Sequence, residues 1–218
     1  VSGRSIEIAG KTAATISVNV GKSPVDRLLQ ATTGTTYDPL TGDLVLQVGQ
    51  HGIGVGRNIV LEDGAVTFTC ALDGNATTHS YPRSTDPASG SSLAVTAVGT
   101  TSHTVSNAPY DAATGIITFT LSTHNFATGD YIKIDDDALT YKCELDGNST
   151  DHDYPRAGFD YASNRWLPIT KIDDNTFSVD VGVASSADQY AHTFVSAAAN
   201  GIKRQDGTLT VNVGTTPL

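Results

Sequence analysis

Methionine is absent, cysteine occurs twice, tryptophan once, and only 17% of the 218 residues are charged. Two cysteines are too few for a disulfide scaffold, and a chain of this size does not need one, so thiols leave the redox compartment open. No apolar run approaches the roughly 18 residues that a membrane-spanning helix requires, so membrane insertion is not expected. Basic residues are the scarcer sign, 13 Lys and Arg against 23 Asp and Glu, for a net charge of −10. Such a surface repels phosphate backbones and anionic lipid, which argues against nucleic acid as a partner. Catalytic signatures are missing too: there is no G-x-S-x-G elbow, no H-E-x-x-H and no P-loop. With Val1 in first position and no Met, the chain is expected to have lost its initiator or to be a piece of something longer, and it shows no signal-peptide pattern.

Thr and Gly are abundant, 30 and 21 residues, a mixture that favours pleated sheet and tight turns over helix. The expected fold is all-β. Residues 37–83 align without a gap onto residues 110–156, and 20 of those 47 positions are identical. The match is densest where Cys70-Ala-Leu-Asp-Gly-Asn-Ala-Thr-Thr-His-Ser-Tyr-Pro-Arg83 lies over Cys143-Glu-Leu-Asp-Gly-Asn-Ser-Thr-Asp-His-Asp-Tyr-Pro-Arg156. After one inserted residue the register resumes, with Asp86–Val105 over Asp160–Val179. A third echo sits at the chain ends, where Thr15-Ile-Ser-Val-Asn-Val-Gly21 and Thr208-Leu-Thr-Val-Asn-Val-Gly214 both resemble Thr176-Phe-Ser-Val-Asp-Val-Gly182. These matches divide the chain into an N-terminal partial unit (1–36), two β repeat units (37–109 and 110–183) and a C-terminal partial unit (184–218).

Alternation marks strands in Ile116–Leu121, Tyr131–Ile134, Leu139–Cys143 and Phe177–Val181. Asp73-Gly74 and Asp146-Gly147 have the residue types of a type I′ turn, so each unit is expected to project a hairpin whose return arm carries His-x-Tyr-Pro-Arg. One short helix is expected near the N-terminus, with Ser23 as N-cap, Pro24 in the first turn and the body running to Gln30.

Several clusters invite chemistry, and each has a plainer reading. His51 and His124, Cys70 and Cys143, Asp73 and Asp146, and His79 and His152 recur at equivalent places, and a Cys with two His could offer zinc three ligands. No fourth ligand is evident and Cys-x8-His is not a known metal spacing, so no metal or cofactor is expected and small buried thiols fit better. A Cys70–Cys143 disulfide would need the units to meet about a local two-fold axis. Asp135-Asp-Asp137 fails the calcium-loop pattern and reads as a solvated turn. The two sequons at Asn75 and Asn148 follow from the duplication itself, and Gly52-Ile-Gly-Val-Gly56 lacks the lysine and helix of a phosphate loop. Tyr81, Arg83, Tyr154 and Arg156 are the candidate contact residues, because flat aromatic and guanidinium groups at hairpin ends suit partners or sugars. Equally open is packing of each Tyr under its turn and pairing of each Arg with a nearby acid.

The stretches Tyr110–Leu121, His124–Ile134 and Leu167–Val179 resemble a small β-barrel-like module common in phage tail and fibre proteins and similar to one in ubiquitin-activating enzymes. The inserted Cys-x-Leu-Asp-Gly-Asn-x-Thr-x-His-x-Tyr-Pro-Arg hairpin, with Ala191–Ala197 downstream, resembles repeat units of virion structural proteins from marine tailed phages, notably those of cyanobacteria. The resemblance implies tandem barrel- or sandwich-like modules with projecting hairpins, serving as a non-enzymatic segment of a tail fibre or tail appendage. It also implies assembly in host cytoplasm, a place on the particle surface, other virion proteins as partners and a homo-oligomeric state. Alternatives in other classes are a capsid decoration or cement protein and an adhesin that recognises host surface glycan.

Overall fold

The computed structural model describes residues 8–11, 16–18, 27–183 and 189–215. Strands β1 (Ile8–Lys11) and β2 (Ile16–Val18) pair only with each other among the described residues. The first unit supplies β3 (Thr36–Asp38), β4 (Asp43–Gln47), β5 (Asn58–Val60), β6 (Val66–Thr69), β7 (Thr78–Tyr81) and β8 (Ser92–His103). The second supplies β9 (Tyr110–Asp111), β10 (Ile116–Thr120), β11 (Tyr131–Ile134), β12 (Leu139–Cys143), β13 (Asp151–Tyr154), β14 (Leu167–Lys171) and β15 (Thr176–Asp180). Strands β16 (His192–Ala197) and β17 (Ile202–Asn212) follow.

The fold is all-β, as composition predicts, and every pairing between named strands is antiparallel. Among the described residues no barrel closes: the main sheet ends at β13 and β3, and at β5 on a branch through β8. Of the expected N-terminal helix, Ser23 to Asp26 lie outside the described residues, and Arg27 to Gln30 are irregular. That stretch is held by a side chain instead, the Arg27 guanidinium donating to the carbonyls of His51 (3.0 Å) and Gln50 (3.2 Å), while Leu28 faces solvent.

Two cores form because the strand alternation turns Leu44 and Leu46 inward in one unit and Ile117 and Phe119 inward in the other. Around Phe119 gather Phe126, Phe177, Ile132 and Leu139; around Leu44 gather Leu61, Val66, Tyr81 and Val95. The units differ in how each core is closed. In the second, β14 turns back through Asp173-Asp-Asn175 into β15, the Asp173 carboxylate accepting the Asn175 N–H at 2.7 Å, and β15 lies between β14 and β10. The aligned residues of the first unit, Val98-Gly-Thr-Thr101, carry no such turn chemistry, so β8 runs on without a reversal for 12 residues.

The place that β15 holds is taken in the first unit by the end of β17. Thr208–Asn212 pair with β4 (Leu209 opposite Leu46, Val211 opposite Leu44) and also with β8 (Val211 opposite Val95). The match to β15 extends to details. Val213 N–H donates to Gly42 at 2.8 Å as Val181 N–H does to Gly115 at 2.8 Å. Gly42 and Gly115 both have positive φ (+78° and +72°), and a Cβ there would lie 2.6 Å from the Gly214 carbonyl carbon and 2.4 Å from that of Gly182. The C-terminal copy of the third sequence echo, Thr208–Gly214, thus supplies the first unit's closing strand.

The near half of β17 works in the second unit, with Ile202–Arg204 paired to β11 and Ile202 in that core. β8 flanks β17 along both halves, from His103 opposite Ile202 to Val95 opposite Val211. Arg204 crosses to the buried Asp130, its Nε and Nη at 2.9 and 2.8 Å from one carboxylate oxygen, and lies over the Phe126 ring. The units also touch directly. Gly52, at φ +68°, leaves room for the Tyr131 ring, which a Cβ would approach to 2.5 Å. Gly52→Val is therefore expected to push the units apart and lower the melting temperature, and an unchanged thermal midpoint would show that this contact is slack.

The Gly52–Gly56 segment is no anion cradle. Three of its amides are already committed: Gly52 to the side-chain carbonyl oxygen of Gln205 (2.9 Å), Ile53 to His51 Nδ1 (3.0 Å) and Gly56 to the Val95 carbonyl (2.9 Å). Because Nδ1 of the buried His51 accepts a hydrogen bond, its proton sits on Nε2, 3.4 Å from the Thr208 carbonyl. Desolvation holds the His51 imidazole below its ordinary pKa despite that carbonyl, and His103 is lowered by burial and then by Arg204. With folded pKa values below the unfolded value of about 6.5, the unfolded state binds more protons, and stability falls as pH drops below about 6.5. Denaturation midpoints at successive pH values check this, and a flat profile between neutrality and the carboxylate range would contradict it.

Candidate functional site

The hairpin motif that defines the repeat is built the same way twice. The chain leaves β12 into a 3-10 turn, Glu144–Asp146, and then passes two left-handed residues, Gly147 (φ 69°) and Asn148 (φ 60°), before β13. The first unit repeats this with Ala71–Asp73, Gly74 (φ 69°) and Asn75 (φ 61°). The expected type I′ turn at Asp-Gly is thus corrected: Gly-Asn carries the positive φ, and Asp occupies the preceding turn. The reason is the aspartate side chain. Asp146 accepts the Ser149 and Thr150 N–H groups (both 3.2 Å), the Thr150 hydroxyl and His152 Nε2 (3.1 Å). Those bonds, with the Thr150 hydroxyl first, hold its carboxyl well below the usual range, and Asp73 is lowered in the same way, chiefly by Thr77. Asp, Thr and His of the motif therefore bind one another. Both cysteines are free thiols, and no cluster of three or more His, Cys, Asp or Glu side chains occurs among the described residues. Asp135 lies between Lys133 (3.8 Å) and Lys203 (3.3 Å).

The return arm ends in a cis Tyr-Pro bond in both units, Tyr81-Pro82 and Tyr154-Pro155. The arginine that follows is clamped. Arg156 Nε and Nη reach Asp160 at 3.1 and 2.7 Å, and Arg83 holds Asp86 at 3.1 and 3.0 Å. The single inserted residue of the second unit falls inside this clamp, so the pair is i,i+4 there and i,i+3 in the first unit. Of the four candidate contact residues, Tyr81 is buried in the first core, and Arg83 is exposed but paired. Tyr154 and Arg156 line a concavity of about 440 Å³ on the second unit.

That concavity is walled by aromatic side chains: Tyr110 and Tyr141 at its floor, with Phe159 and Tyr161 at its rim, 86% and 52% exposed. Arg165 lies over the Tyr161 ring at 4.4 Å, and the Tyr141 hydroxyl donates to the Ala108 carbonyl at 2.7 Å. Burial raises the Tyr141 and Tyr154 phenols, with Asp160 adding to the effect on Tyr154, so both stay protonated donors at neutral pH. Asp153, His152 and the clamped guanidinium supply polar edges. Stacking faces beside fixed polar groups suit a flat, hydroxyl-rich ligand. Phe159 and Tyr161 escape a reading of the repeat because their counterparts are Thr85 and Pro87; the signal available was that departure from the duplication.

Comparison with family models, with curated proteins and with solved structures finds no match to this chain.

Proposed function

We propose that the chain is non-enzymatic architecture, a segment of a phage tail fibre or tail appendage that assembles as a homo-oligomer with other virion proteins. The observation that carries this reading is the ribbon of β8 and β17, 12 and 11 residues long, which runs through both repeat units. A strand shared between two cores makes the modules one stiff spacer rather than beads on a linker, as an extended appendage requires. The free sheet ends at β3 and β13 would be covered in an assembly. Light scattering of the purified chain is expected to return a multimer; a monomer at high concentration overturns the proposal.

The aromatic concavity favours a second reading, in which such a segment also recognises host surface glycan. Tyr154 and Arg156 would contribute from the wall, and Phe159 and Tyr161 would stack on the sugar. Phe159→Ala and Tyr161→Ala are expected to weaken binding on a glycan array by about tenfold each, the loss of one stacking contact. Binding that survives both changes removes the concavity from consideration.

A further inference from the structure

Beyond the closing strand, the two units differ in what lies beside the strand that opens the hairpin. In the second unit, β16 fills the space beside β12, with Ala197 opposite Leu139, Phe194 opposite Tyr141 and His192 opposite Cys143, and it also bridges to β9 through His192 and Tyr110. In the first unit, the corresponding strand β6 pairs with β7 alone, and β3 ends the main sheet. No strand among the described residues lies along the other edge of β6.

Burial differs accordingly. Ala138, Tyr141 and Cys143 are buried under β16, whereas their counterparts Ala65, Phe68 and Cys70 are only half-buried. The backbone edge is open in a definite sense. In β12, the carbonyl of Ala138 accepts Ala198 N–H (2.7 Å) and Glu144 N–H donates to Ala191 (3.0 Å), so Thr140 and Lys142, which alternate with them, face β16. By the same alternation the backbone groups of Thr67 and Thr69 face away from β7, toward the side that no described strand occupies. A sheet edge with an apolar side chain half-covered beside it takes an added strand readily.

We propose that this edge is a strand-accepting site for an extended segment of a neighbouring polypeptide, antiparallel to β6, with an aromatic residue opposite Phe68 and a small residue opposite Val66. The filled site of the second unit defines that chemistry: His192, Phe194 and Ala197 turn inward, and the intervening Thr193, Val195 and Ser196 are exposed. The described strands of this chain are already engaged. β16 belongs to the second unit. β1 and β2 begin in the register of β14 and β15 (Lys11 opposite Ile16 and Gly10 opposite Ser17, as Lys171 opposite Phe177 and Thr170 opposite Ser178) before a register shift at Ile8, so they repeat a different part of the unit. The proposal does not depend on either functional reading above.

The test uses the full chain and a synthetic peptide of residues 190–199, which carries β16. Calorimetric titration is expected to show saturable one-to-one binding, and hydrogen exchange to show new protection at the Thr67 and Thr69 amides. Thr67→Pro with Thr69→Pro removes the outward donors without touching the pairing to β7, and is expected to weaken binding by at least about tenfold. A peptide with Asp in place of Phe194 is expected not to bind. Absence of binding overturns the proposal, as does protection gained on β12 instead of β6, or binding indifferent to both the prolines and the Asp peptide. Should the proline chain fail to fold, exchange at Thr67 and Thr69 of the unaltered chain decides.

Discussion

Ending the chain after Asp206 is expected to unfold the first unit and spare the second. The cut leaves Ile202–Arg204 in place against β11, so the core around Phe119 and Phe177 keeps all its strands. The first core loses Leu209 and Val211, both fully buried, and five ladder positions against β4. Truncating one buried aliphatic side chain to Ala costs about 2–5 kcal/mol, and a domain has only about 5–15 kcal/mol in hand. Removing two such residues together with a central strand exceeds what a core of this size tolerates. Hydrogen exchange should show amides of Leu44, Leu46 and Val95 losing protection while those of Ile117, Phe119 and Val179 keep it. A peptide of residues 207–215 added in trans should restore the first set. If protection around Leu44 is unchanged by the cut, the terminal strand is a bystander.

The result also bears on what a sequence of this kind discloses. Alternation located β10, β11, β12 and β15, because a half-buried strand must present apolar side chains at every second position. The echo Thr208–Gly214 was visible as a copy of Thr176–Gly182, yet its destination was not, since strand pairing over 160 residues leaves no local trace. The clue lay in a missing turn: Ile172-Asp-Asp-Asn175 can reverse the chain, and Val98-Gly-Thr-Thr101 cannot. Once β8 continues without a reversal, the first core is short of one strand, and only a copy of β15 fits. The turn lies one residue beyond the expected Asp-Gly pair for a different reason. Turn propensity describes the backbone, while here the Asp73 and Asp146 carboxylates organise the loop by binding groups three and four residues ahead. The aromatic concavity was least legible, because Tyr110, Tyr141 and Tyr161 are brought together only by the sheet.

Gln205→Leu is expected to be the most damaging single substitution outside the apolar cores. Gln205 is fully buried where β17 passes from one unit to the other. Its side-chain oxygen accepts the N–H groups of His51 (3.2 Å) and Gly52 (2.9 Å), and its amide nitrogen donates to the Ile53 carbonyl (3.1 Å). Leu matches it in size but can serve none of the three, and a buried backbone group left unpaired costs about 1–3 kcal/mol. Because Ile53 and Gly52 are partly exposed and water can reach some of what is lost, about 3–5 kcal/mol is the expected destabilisation, read from urea denaturation. The loop that Gln205 holds is also the one that meets the second unit, with Gly52 against Tyr131 and Gly54 against Trp166, a Cβ there lying 3.6 Å from the indole. The emission of Trp166, the only tryptophan, should therefore shift before global unfolding in the Leu variant. Gln50→Ala provides the contrast: its side chain bridges the Gln205 carbonyl and the Tyr131 N–H (3.0 Å) at a half-buried place, and its loss should cost about 1 kcal/mol. If Gln205→Leu proves as mild as Gln50→Ala, the joint between the units is held by the β8 and β17 ladder alone, and the side-chain staple is dispensable.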